Sequence, residues 1–180
     1  FALLASFLLF CPSPPVSAEP TTGRIAFVDR AGDLYTIRPD GSNQRKLASG
    51  EMLQQVAFSP QPVQQSRDFY SWPAWSPDGT WIAFAALNAE GKSIGLFLRN
   101  PDGVNRLQLT QAPDRSPVWS PDGKKLAFVS ERDDNEEIYV LKVGSDGPDG
   151  QAQRITDNPA SDNSPDWSPD SKRVAFISDR

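Results

Sequence analysis

The sequence contains no histidine and only one cysteine, Cys11, among its 180 residues. Without histidine there is no Ser-His-Asp or Cys-His nucleophile pair, and the usual zinc ligand sets lose a principal member. No G-x-S-x-G elbow, phosphate loop or dinucleotide fingerprint is present, so the chain carries none of the familiar catalytic motifs, and no cofactor or metal is expected. An excess of positive charge is also missing. Eighteen Lys and Arg stand against 23 Asp and Glu, a net charge of −5, which argues against nucleic acid as a partner. No segment after residue 20 shows a helical period.

The one strongly apolar stretch runs from Phe1 to Phe10, and Val16-Ser17-Ala18 then supplies small residues where a signal peptidase inspects the chain. The sequence predicts a secretory signal peptide over residues 1–18, truncated at its start, with cleavage after Ala18. That stretch is too short to span a bilayer by itself, so no stable membrane insertion is expected after cleavage. Lipidation of Cys11 would need a small residue before it, and Phe10 stands there. Removed with the leader, Cys11 leaves a mature chain without a disulfide. The expected location is periplasmic or extracellular.

What the sequence has in quantity is proline, glycine and tryptophan: 17, 12 and 5 residues. They are organised by a pattern, W-S-P-D-[G/S]-x-x-[I/L/V]-A-F, that runs from Trp75 to Phe84, from Trp119 to Phe128 and from Trp167 to Phe176. A period of this size marks a repeat architecture. Ser-Pro-Asp-Gly is turn chemistry, with Pro presetting φ and Asp able to bond its own backbone. The residues on either side prefer a pleated, half-buried surface. Pro73, Pro117 and Pro165 precede each Trp by two positions and cannot donate a ladder bond, so the incoming strand is expected to be short or to begin at the Pro.

A third strand follows at Ile94–Leu98 and Ile138–Leu141. A second turn is expected at Pro101-Asp102-Gly103 and Pro148-Asp149-Gly150, then a strand ending at Leu109-Thr110 or Ile155-Thr156. Upstream, Arg24-Ile25-Ala26-Phe27-Val28 matches Lys125–Val129, which marks a divergent first copy whose link to the next contains a loop insertion around Gln61–Arg67. The prediction is an all-β protein, a β-propeller of four-stranded antiparallel blades. Its repeats are placed at 24–58, 70–110, 114–156 and 162–180, within a propeller segment of 19–180.

At these residues the chain resembles the TolB-type β-propeller repeat, a WD-repeat-like family with a Trp-Ser-Pro-Asp-Gly core. The match extends to the Ser130–Asp133 turn, the Ile138-Tyr139-Val140 strand and the closing Arg154-Ile155-Thr156 strand. The resemblance implies a ring of usually about six blades, of which three to four are expected here, an incomplete ring and a fragment of a longer protein. No counterpart of the α/β domain that TolB carries ahead of its propeller lies between the leader and Arg24. Architecture is implied more firmly than activity, because function lives in sites grafted on folds.

Three groups of residues compete as sites. Asp133, Asp134, Glu136 and Glu137, with Asn135 among them, have the oxygen chemistry of a calcium loop but not the EF-hand spacing, and are read as a solvated hairpin tip. Trp75, Trp119 and Trp167 could stack sugars, but one equivalent position per copy suggests packing between blades. Trp72 and Trp81 lie outside the pattern, and one of them is a candidate for exposure at a rim. Asp114 with Arg115, Asp162 with Asn163, and Tyr70-Ser71 in the earlier copy precede the strand expected to be innermost. These positions approach the rim of the central channel and are the candidate partner-binding residues; ordinary polar loops are the alternative.

The first expectation is an exported, non-catalytic propeller acting as a protein-interaction scaffold in the periplasm or cell envelope, with an unidentified protein partner. The alternatives are the N-terminal propeller of a secreted prolyl-oligopeptidase-like serine hydrolase and a sugar- or ion-binding propeller.

Overall fold

The computed structural model describes residues 23–49, 69–88, 90–103 and 105–180, and every regular element among them is a β-strand. The expected signal peptide and loop insertion lie outside the described residues. No helix among those residues is long and apolar enough to cross a membrane.

The strands form successive antiparallel sheets, as expected for blades. β1 (Ile25–Val28), β2 (Leu34–Ile37) and β3 (Arg45–Ala48) make the first. β4 (Phe69–Trp75), β5 (Ile82–Leu87), β6 (Ser93–Arg99) and β7 (Arg106–Gln108) make a complete second blade in consecutive order. The third contains β8 (Asp114–Trp119), β9 (Lys125–Ser130) and the long β10 (Glu137–Gly144), with its outer edge shared between β11 (Gly147–Pro148) and β12 (Gln153–Arg154). β13 (Asp162–Trp167) and β14 (Val174–Ser178) pair as a final hairpin. The first strands of neighbouring blades adjoin one another, β4 beside β8 and β8 beside β13, which places them innermost.

Strand β5 explains why the blades stack. Successive side chains of a strand point to opposite faces, and here both faces are buried. Ala83 and Ala85, with Leu96 and Leu98 of β6, pack against Leu126, Phe128, Tyr139 and Leu141 of the third blade. Ile82, Phe84 and Ala86, with Phe97, pack against Leu34, Leu47 and Ala48 of the first. The near-continuous apolar run of β5 is therefore the signature of a sheet held between two others, each large buried side chain contributing about 1.5–3 kcal/mol.

The Ser of each Trp-Ser-Pro-Asp turn is its hub. Ser76 Oγ donates to Asp78 Oδ1 at 2.6 Å and accepts from the Trp81 amide at 2.9 Å. Ser120 repeats this with Asp122 at 2.6 Å and the Lys125 amide at 2.9 Å, and Ser168 with Asp170 at 2.5 Å and the Arg173 amide at 3.0 Å. These hydroxyl bonds, followed by bonds from Thr80 or Lys124, hold the Asp78 and Asp122 carboxyls below the ordinary range. The turn aspartates are thus ionised structural acceptors.

The inner strands do not begin at the proline. Each starts several residues earlier and passes the proline through a register shift: Ser71/Ala74, Arg115/Val118 and Asn163/Asp166. The residue before each proline takes a positive φ, 51° at Trp72, 53° at Ser116 and 52° at Ser164. The bulge removes the missing N–H from the ladder while the strand continues on both sides. The second turn of the third blade is also displaced. β10 runs on to Gly144 and reverses at once, so that Pro148 pairs with Val143 inside β11 instead of sitting in the turn. In the second blade the Pro-Asp-Gly turn stands where expected, closed by Gly103 N to Asn100 O, and the first blade turns in the same way at Pro39-Asp40-Gly41, closed by Gly41 N to Arg38 O, both 2.9 Å.

Candidate interaction face

Two of the repeat tryptophans join blades directly. Trp119 Nε1 donates to the Ala74 carbonyl and Trp167 Nε1 to the Val118 carbonyl, both at 3.2 Å, so each indole reaches the innermost strand of the blade before it. This geometry gives them a structural role between blades.

At the starts of those inner strands lie the predicted rim residues, and the structure separates them by role. Asp114 is fully buried and accepts two bonds from Arg132 Nη2, at 2.8 and 2.7 Å. Asp162 is equally buried and accepts from Arg180 at 3.2 and 3.0 Å and from Asn158 Nδ2 at 2.7 Å. Burial alone would raise the Asp162 pKa, but bonds from Ser178, Asn158 and Arg180 outweigh it and hold the carboxyl below its ordinary value. Both acids therefore brace their own blades. The Arg132 guanidinium lies over the Tyr139 ring, 4.4 Å from its centroid, which adds cation–π attraction to the ion pair. Tyr70 is paired in β4 with Ala86 of β5.

Arg115 and Asn163 face the other way and belong to one polar run. Arg115 is ion-paired to Glu136 and lies 3.5 Å from Glu131; Asn163 Nδ2 reaches the same Glu136 at 3.4 Å. On its far side the Arg115 guanidinium sits 5.9 Å from the ring of Trp72. Trp72, Arg115, Glu136 and Asn163 thus cross from the second blade to the final hairpin. Trp72 is 42% exposed, which is unusual for so large an apolar side chain and makes it the prominent feature of this face. It lines a cavity of about 460 Å³ with Leu87, Lys92, Ser93, Pro113 and Arg115.

The acidic group at 133–137 is dispersed. Glu137 is fully buried and accepts from Thr156 Oγ1, from Arg154 Nη2 at 2.8 Å, from Asn135 Nδ2 at 3.0 Å and from the Asn158 amide at 3.3 Å. Burial pushes its pKa up, but these bonds prevail and keep it below the ordinary value. Asp133 accepts from the Tyr139 hydroxyl, and burial followed by that bond raises the Tyr139 pKa to about 12. The cluster is therefore only partly a solvated hairpin tip: Glu137 is an internal clasp on the 156–160 loop, and Glu136 belongs to the rim run. Among the described residues no group of His, Cys, Asp and Glu converges as a metal site.

Trp72, which the sequence offers with Trp81 as a candidate for rim exposure, and Glu136, which it offers only within the acidic hairpin tip, join Arg115 and Asn163 here. The available signal was Trp72 itself, which stands where Ser116 and Ser164 stand in the other copies.

A family model described as PD40, TolB beta propeller domain, matches residues 21–180. A TolB structure from Agrobacterium tumefaciens is similar with a TM-score of 0.62 and 23% identity, covering 86% of this chain and 49% of that one. TolB from Acinetobacter baumannii is similar with a TM-score of 0.62 and 25% identity, covering 88% and 36%. A puromycin-hydrolysing peptidase of Mycobacterium tuberculosis is similar with a TM-score of 0.60 and 20% identity, covering 86% and 24%. The chain thus spans less than half the length of these structures. None of the curated proteins compared matches it.

Proposed function

The chain belongs to the TolB β-propeller domain family, and from that premise we propose that it is part of an exported, non-catalytic propeller acting as a protein-interaction scaffold in the periplasm or cell envelope. The exposed Trp72 indole, at the head of a polar run crossing adjacent blades, carries this reading. Trp and Arg are the side chains that most often dominate binding energy when a partner excludes water from them. Arg115, shared between Glu131 and Glu136, and Lys92 beside Trp72 surround the indole with charges of both signs, which complement a polar protein surface. The apolar start of the sequence and its small-residue cleavage site support export. The lack of histidine and of catalytic motifs supports a binding role.

A photo-crosslinker at Lys92, beside Trp72, tests this in cells that export the protein. The expected result is a defined protein adduct that is lost with Trp72→Ala and is not formed from Asp146 on the outer hairpin. Equal adducts from both positions, or no effect of Trp72→Ala, would contradict it.

The likeness to the mycobacterial peptidase favours a second reading, the propeller of a secreted prolyl-oligopeptidase-like hydrolase. A G-x-S-x-G segment followed by Asp and His in the reading frame beyond Arg180 would establish it. Further blades followed by a stop codon would remove it.

A further inference from the structure

Asp-Gly pairs stand in the sequence at Asp40, Asp78, Asp102, Asp122, Asp146 and Asp149. A glycine presents no side chain to shield its amide nitrogen, so such a pair can cyclise when that nitrogen reaches the aspartate Cγ. Two groups must then be available: a glycine N–H that can give up its proton, and a carboxyl group able to turn towards it.

Most of the pairs sit in turns that tie these groups up. Gly41, Gly79 and Gly103 each donate to the carbonyl three residues back at 2.9 Å, and Gly123 does so at 2.8 Å. Asp78 and Asp122 also accept from the turn serine and from the amide two residues on, and Asp40 accepts from the Ser42 amide at 2.8 Å. Serine bonds above all hold these three carboxyls below the ordinary range, and an ionised carboxylate is a poor electrophile. In the pair Asp146-Gly147, the glycine is buried and paired with Gly144 across the hairpin.

Asp149-Gly150 differs from all of these. Both residues are exposed, and among the described residues the Asp149 side chain makes no hydrogen bond or ion pair and the Gly150 amide has no acceptor. The cause is the displaced turn of the third blade: Pro148 is drawn into β11, which leaves Asp149 and Gly150 beyond the reversal instead of inside it. The Asp149 amide donates to the Lys142 carbonyl at 2.9 Å, but that bond lies before the Cα–C bond about which the chain turns to bring Gly150 N to Cγ. Gly150 has a φ of 90° and nothing within 4 Å of its Cβ position, so the rotation meets no obstacle. Asp78, Asp122 and Asp149 share the same Pro-Asp-Gly tripeptide, so what distinguishes them is the fold.

We propose that Asp149-Gly150 is a site of self-modification, at which the folded chain forms a succinimide and then isoaspartate. Gly150 N bonds to Asp149 Cγ, and one carboxyl oxygen leaves as water with the amide proton and the carboxyl proton. Solvent water then opens the ring. Cleavage of the new N–Cγ bond returns aspartate. Cleavage of the original peptide N–C bond leaves the chain running through Cβ and Cγ and frees the former backbone carbonyl as a carboxylate. Net charge is unchanged, and water is the only reactant. The link between β11 and β12 gains one methylene at the outer edge of the third blade, and none of the rim residues takes part.

The test ages the folded full chain at neutral pH in water enriched in heavy oxygen, and reads label and isoaspartate at each pair by peptide mass spectrometry with electron-transfer fragmentation. Each passage through the ring fixes one heavy oxygen, whichever way it opens. Asp149 is expected to take up label at least about tenfold faster than Asp78 and Asp122, whose turn bond and serine bond must first break. In urea that unfolds the chain, the three rates are expected to converge. In Asp149→Glu, where the ring would be one atom larger, label at residue 149 is expected to be lost. Equal rates at the three pairs in the folded chain, or a preference for Asp149 that persists in urea, would overturn the proposal. Label retained at residue 149 in Asp149→Glu would also overturn it, by showing oxygen exchange without cyclisation.

Discussion

Strands β9 and β14 carry almost the same residues, Leu126-Ala127-Phe128-Val129-Ser130 and Val174-Ala175-Phe176-Ile177-Ser178, yet their surroundings differ sharply. Phe128 and Val129 are fully buried, whereas Phe176 is 37% and Ile177 63% exposed. The turns leading into the two strands agree, with Ser-to-Asp bonds of 2.6 and 2.5 Å and amide-to-Ser bonds of 2.9 and 3.0 Å. What separates them is company. β9 lies between β8 and β10 and packs on the second blade, while β14 is paired with β13 alone among the described residues. The repeated motif therefore encodes the hairpin, and the rest of the blade and its neighbour supply the burial.

The largest expected break in that comparison is at the phenylalanines. Phe128→Ala is expected to cost about 3–5 kcal/mol and Phe176→Ala about 1 kcal/mol or less, read as shifts in the urea midpoint. Equal losses would mean that β14 is buried in solution. The ion pairs come next. Arg132→Met leaves the buried Asp114 without its guanidinium and is expected to cost about 3 kcal/mol. Arg180→Met is expected to cost about 1 kcal/mol, because that guanidinium is largely exposed and Asp162 keeps Asn158.

Acid sharpens the comparison further. Glu137 is held below its ordinary value of 4.5. Its contribution is thus complete above that pH and is lost as pH falls towards the lower folded value. Acid titration of the folded chain is expected to weaken the third blade through this window, and Glu137→Gln is expected to flatten the loss. An unchanged acid slope in the variant would show that the clasp is not coupled to folding. The smallest expected difference between the two blades is at the turn serines: Ser120→Ala and Ser168→Ala should each cost about 1 kcal/mol, because both hydroxyls make the same two bonds within their turns.

The blade architecture was legible because turn chemistry and strand alternation are local, and a period repeated along the chain exposes both. The bulge at each proline was not, since it depends on how a strand lacking one donor meets a partner strand distant in sequence. The shifted turn at Gly144 was missed for a similar reason: Pro148-Asp149-Gly150 has turn chemistry, but pairing between Val143 and Pro148 decides where the chain reverses. At the candidate site, position alone singles out Arg115 and Asn163, and the structure joins them through Glu136. Asp114 and Asp162 were legible as special residues but not as buried ones, because their partners Arg132 and Arg180 lie a whole hairpin away. Glu136 and Glu137 are adjacent in sequence, yet one lies on the rim run and the other inside the blade.

The division between an encoded hairpin and a supplied core is tested most directly by native-state hydrogen exchange on β9 and β14. Amides of residues 125–130 are expected to exchange at least about a hundredfold more slowly than those of residues 174–178, as befits a core strand compared with a locally opening edge. Equal protection of the two strands in a monomer would contradict this account.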